Sequence, residues 1–257
     1  MFSLLAEQPC STIARMSYTI PRGDDSNAIE QEFDLLDWKI RAGLLDEVRE
    51  SCSRILGSKG ERSHRISWAH LLVGTADFMQ NSYEAALQHF EAAQQAPLPL
   101  RPRARAGASK ALAMLGHTAE AEAVLRELVM ASPESWHTWE ALGFWHRHQG
   151  DLQEAWSSFR KATALNPQNP SLISSLVALS HTPEHHKELA VALQHHLSLE
   201  PLNLGFRGCL VHCFLQMGDL EKACDQAHRI VLFAPFSVVP AELVSTMHEL
   251  LSTLGRL

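Results

Sequence analysis

The chain has 257 residues, 46% of them hydrophobic, and a formal charge of −7, which allows a substantial buried core in one or two domains. No segment is basic enough for a nucleic-acid surface, and none has the run of uncharged apolar residues that a membrane span needs. Cysteines at positions 10, 52, 209, 213 and 224 are odd in number and scattered, so they do not read as a disulfide framework, and a reducing cytoplasm is the expected location.

Residues 1–28 contain Pro21, Gly23 and the pair Asp24-Asp25 without hydrophobic period, and are expected to be mobile. The opening MFSLLAEQPC has no cationic start and only a short apolar run, so no export signal is read there. Further on, a fixed interval governs the chain. Pro133, Pro167, Pro201 and Pro235 follow one another at 34 residues. Gly116, Gly150 and Gly218 keep that step, with Glu184 in the empty slot, and Ala121, Ala155 and Ala223 do the same, with Leu189 as the exception.

Within the best-kept interval, residues 137–148 and 152–165 carry apolar side chains at steps of three and four, which predicts two amphipathic helices. Gly150-Asp151 separates them, the glycine suited to a left-handed helix end and the aspartate to capping the next helix. Small residues at Gly143, Ala155 and Ala162 let the helices approach, with Trp139, Leu142 and Phe159 around them. Asn166-Pro167 stops the second helix. Such a hairpin cannot bury both faces alone, so neighbours must stack on it.

The slots filled by Trp139, Leu142, Gly143, Gly150, Ala155, Phe159, Ala162 and Pro167 resemble the tetratricopeptide repeat (TPR), with His146 where an aromatic is usual. The resemblance implies an all-α, right-handed superhelical solenoid of antiparallel hairpins, about six repeats plus a C-terminal capping helix. In chain order the units are a degenerate one at 29–62, then 67–100, 102–135, 136–169, 170–203 and 204–237. The closing helix, 238–257, has an apolar stripe through Leu243, Met247, Leu250 and Leu254; it covers the last hairpin or meets a partner.

No residue set announces catalysis. His146 and His148 point to different helix faces, the pairs His185-His186 and His195-His196 splay, and Pro183 interrupts His181 and His185. Cys209 and Cys213 share a face that Cys224 can approach, but small apolar core slots explain all three better than a metal does. No nucleophile elbow, phosphate loop or paired carboxylates are visible. No cofactor and no enzymatic activity are expected.

In the family it resembles, the first helices of successive hairpins line a concave groove that holds a peptide or partner helix. Carried over residue by residue, that face has Trp68, Leu71 and Phe78, then Arg103 and Lys110, then His137, Glu140, Phe144, Arg147 and His148, with His212 at the late end. Aromatic anchors and three cations with few acids nearby suggest a protein or peptide ligand of acidic character. The family's two-carboxylate clamp is not recognisable, its asparagine and lysine slots being filled differently. The reading is thus an adaptor, scaffold or assembly factor; the alternatives are a self-associating scaffold and a metal-binding regulatory subunit or enzyme using the Cys/His cluster.

Overall fold

The computed structural model describes residues 25–58, 63–94, 100–234 and 241–255. The expected mobility of residues 1–28 lies outside these up to residue 24, and helix is present from Asp25 onward. Pro235, Pro240 and Leu257 are also outside them.

Every element among the described residues is helical. The order is α1 (Asp25–Arg41), α2 (Leu45–Gly57), α3 (Ser63–Met79), α4 (Tyr83–Ala93), α5 (Arg101–Met114), α6 (Thr118–Ala131), α7 (Trp136–Gln149), α8 (Leu152–Leu165), α9 (Pro170–Leu179), α10 (Pro183–Leu199), α11 (Leu204–Gln216), α12 (Leu220–Phe233) and α13 (Ala241–Thr253). They pair as antiparallel hairpins, the all-α arrangement expected of the repeat, with α13 as a closing helix. The chain divides into two compact units, one ending at Ser158 and the other running from Phe159.

The hairpin turns show how local sequence builds the repeat. Gly43, Gly116, Gly150 and Gly218 have φ of 76°, 82°, 87° and 74°, a region that costs a side-chain-bearing residue steric energy. Asn81, at φ 61°, takes the same part in the α3–α4 turn, as the side chain most tolerant of that geometry. The α9–α10 turn has no such residue. There α9 stops after ten residues, the Thr182 hydroxyl accepts from the His185 backbone N–H, and Pro183 opens a longer α10.

Turns between hairpins are pinned from the helix that follows. The Trp139 indole N–H donates to the Pro133 carbonyl at 2.7 Å. Arg207, two repeat lengths later in the second unit, donates to the Pro201 carbonyl at 2.6 Å and to the Gln226 amide oxygen at 2.7 Å. An indole and a guanidinium therefore fill one slot with one task, each satisfying a carbonyl that ends a helix connection. Arg207 is 4% exposed, and burial first, then Arg229, lowers its pKa.

In the first unit, Phe33, Leu36, Ile40, Val48, Cys52 and Ile55 form a core between α1 and α2 with Ala69, Leu72 and Val73 of α3. The next core sets Phe90 of α4 against Leu71 and the alanines of α5. Around Phe90 the backbones come closest: a Cβ built on Gly74 falls 3.0 Å from the ring and one on Gly107 falls 2.5 Å from it. In the second unit Leu243, Met247 and Leu251 of α13 are buried, with Leu243 on the bare backbone of Gly208. The buried stripe thus turns through Leu251, whereas Leu250 and Leu254 are only half-buried.

Candidate functional site

The first unit presents one continuous polar-aromatic line across α1, α3, α5 and α7. At one end Phe33 is stacked on Trp68, centroids 5.0 Å apart and planes within 15°. The Arg103 guanidinium lies over the Trp68 ring, 5.5 Å from its centroid, and grips Asp37 of α1 with both terminal nitrogens, at 2.8 and 2.6 Å. Further along, Lys110 sits 5.9 Å from the Phe78 ring and 3.2 Å from a Glu140 oxygen. Phe78 meets Phe144 edge to face at 5.8 Å, and Arg147 lies over Phe144 at 5.5 Å.

Three cations are thus each laid over an aromatic of the same face, an attraction that grows as water is excluded. The aromatics are half-buried, not freely exposed, and Arg147 and His148 are exposed. Two expectations change. Leu71 is 0% exposed, because its side chain turns into the Phe90 core instead of the face. The cations are also not short of acids: Asp37 and Glu140 occupy two of them, each of these four side chains being between 20 and 25% exposed. Asp37 lies 66 positions from Arg103 in sequence, and only the packing of α1 and α5 against α3 brings them together.

His137 is half-buried on this face, its ring 3.5 Å from that of Trp136. Burial, then the charges of Arg103 and Lys110, hold its pKa well below 6.5. In the unfolded chain the imidazole binds its proton at the ordinary value and in the fold it does not. Stability from this residue is therefore complete above about pH 6.5 and is lost as pH falls below it. His137→Gln is expected to flatten the loss of urea resistance between pH 7 and 5; equal acid slopes would disprove the assignment.

His212 belongs to the second unit, where its ring meets His186 edge-on at 5.6 Å and burial, then His186, lower its pKa. His146 is packed, edge-on to Trp145 at 5.1 Å. Cys209, Cys213 and Cys224 are buried free thiols, the first two pushed by burial up to about 11 and about 12, which fits protonated core residues. Among the described residues no group of three or more His, Cys, Asp or Glu is placed to hold a metal ion, and no helix is long and apolar enough to cross a membrane.

Residues 77–142 match the family model described as tetratricopeptide repeat. No curated protein sequence matches the chain. Among solved structures, yeast Tom70 is 14% identical, with 91% of this chain and 45% of Tom70 covered and a TM-score of 0.56. The Naa15/Naa10 structure bound to HypK-THB is 17% identical, with 74% and 29% covered and a TM-score of 0.54. The APC/C hetero-tetramer Cut9–Hcn1 is 13% identical, with 85% and 42% covered and a TM-score of 0.53. The chain spans less than half the length of each of these three. At such identities the likeness concerns the fold: the chain matches the tetratricopeptide repeat family over residues 77–142 and folds into helical hairpins of the tetratricopeptide kind.

Proposed function

We propose that this chain is a non-catalytic protein-interaction module, an adaptor, scaffold or assembly factor, which receives a peptide or helix of a partner on the α3–α5–α7 face of its first unit. The observation that carries this reading is the row of three aromatic rings, Trp68, Phe78 and Phe144, each overlaid by a cation from the same face. Rings held by neighbours lose little freedom on binding, and aromatic and arginine side chains dominate binding energies at such surfaces. Two of the similar structures contain other chains: Naa15 with Naa10 and HypK-THB, and Cut9 with Hcn1.

The partner is acidic in part. The face carries Arg103, Lys110 and Arg147 over its rings, and an incoming carboxylate reaches them by exchange with the groups that hold them now, Asp37 and Glu140 among these. A photo-reactive residue at position 144 should crosslink a partner, while one at the exposed Met130 on α6 should not. The partner so identified should lose at least about tenfold in affinity for Trp68→Ala/Phe144→Ala. Unchanged affinity removes the face from the proposal, and a crosslink to a second copy of this chain converts it to self-association.

A further inference from the structure

His70 lies two residues from Trp68 on α3 and so points away from the aromatic line. It ends a separate chain of polar groups that ties α3 to both of its neighbours. Arg49 of α2 donates to Oδ1 of Asp77 on α3, and Asp77 is 6% exposed. Its other oxygen is 3.9 Å from Nε2 of His89 on α4. On the far side of that ring, Nδ1 of His89 is 2.9 Å from Nδ1 of His70, the rings tilted by 38° with centroids 5.1 Å apart.

A hydrogen bond between two Nδ1 atoms holds one proton, so one ring must donate and the other accept. The pattern that suits every atom puts the His89 proton on Nε2, towards the Asp77 carboxylate, and leaves His89 Nδ1 to accept from His70 Nδ1–H. One added proton is accommodated on His70 Nε2, because the donor at Nδ1 is unchanged. A second must go to His89 Nδ1, and two N–H groups then face each other across the space that held the bond. We propose that Arg49, Asp77, His89 and His70 form a proton-operated latch, which holds α3 between α2 and α4 while the two imidazoles share at most one charge and releases it when both are charged.

The surrounding charges favour this behaviour. Arg49 comes from α2, Asp77 from α3 and His89 from α4, whereas α5 sets Ala104, Ala108 and Ala111 into the core of this hairpin and lays Arg103 and Lys110 over Trp68 and Phe78 of α3. On α1, Glu32 and Asp37 are engaged by Arg65 and Arg103. Asp77, already bound by Arg49, is the carboxylate that faces His89. Burial, then the neighbouring His89, lower the His70 pKa, so the doubly charged state is an acidic-range event. Because α3 also carries Trp68 and Phe78, release would loosen the helix that bears two of the three rings, although the latch exists whether or not that face binds a partner.

The test compares the full chain with His70→Asn, whose amide N–H can donate where imidazole Nδ1 does but cannot be charged. Between pH 7 and 5 the unfolding equilibrium of the wild type should rise by up to about tenfold per pH unit more than that of His70→Asn, the slope of one linked proton. Histidine 15N spectra of the wild type should show His70 gaining its proton below the ordinary imidazole range, with faster hydrogen exchange of α3 and α4 amides once the chain is acidified past that point. Identical acid slopes, or α3 and α4 amides whose exchange is unmoved across that step, would overturn the latch. Should His70→Asn not fold, the coupling of wild-type amide exchange to His70 protonation decides alone.

Discussion

Replacing Phe90 by alanine is expected to cost about 3–5 kcal/mol of unfolding free energy, the largest loss from any single change at the α3–α4–α5 junction. The ring is 3% exposed and sits between two helices that have given up their side chains to admit it, Gly74 on α3 and Gly107 on α5. Its removal leaves a void bounded by backbone, which relaxes little. Gly107→Ala tests the same contact from the other side. A methyl 2.5 Å from the ring edge forces a shift of the ring or of α5, costing about 1–3 kcal/mol, against a gain of about 1 kcal/mol from helix propensity. Combined with Phe90→Ala, the new methyl partly fills the void, so the double variant should be more stable than the sum of the singles by about 1 kcal/mol or more. Urea melts with hydrogen exchange on α3–α5 amides read all four states, and strict additivity would mean that the two residues do not share this space.

Arg103→Glu is the second large effect, and it acts on stability and on binding together. The change replaces a two-pronged ion pair by two facing carboxylates and strips the cation from Trp68. For groups about one-fifth to one-quarter exposed the cost lies between that of a surface pair and a buried one, roughly 2 kcal/mol. Asp37→Arg in the same chain restores opposite charges in exchanged places. That reversed pair should recover more than half of the lost stability while an acidic partner stays weakened, because the cation now stands on α1 and no longer over Trp68. Recovery of both would show that the cation's position over the indole does not matter to the partner, and recovery of neither would show that charge pairing between these two positions is not what stabilises the fold.

The two experiments probe parts of the molecule with very different visibility in the sequence. The 34-residue spacing of Gly116, Gly150 and Gly218, of the alanines and of the prolines is a local record: each residue answers a demand of its own turn or helix contact, so its meaning survives without coordinates. Helix pairing, the left-handed glycines and the closing helix were legible for that reason. The shorter α9 and longer α10 follow from the same logic, since that unit lacks the glycine and carries Pro183 and a Thr182 cap instead.

The sequence by itself also placed Trp68, Phe78, Phe144, Arg103, Lys110 and Arg147 at related positions of successive first helices, because repeat register is a property of spacing. It could not say that Leu71 turns inward, since rotation of a helix by a few tens of degrees is decided by what packs on it, here Phe90 and the α5 alanines. Nor could it couple Asp37 to Arg103, or Asp77 to Arg49 and His89. Those partners lie from 12 to 66 residues apart on different helices, and electrostatic pairing at such range depends on side-chain reach across a packed interface, which only the tertiary structure sets.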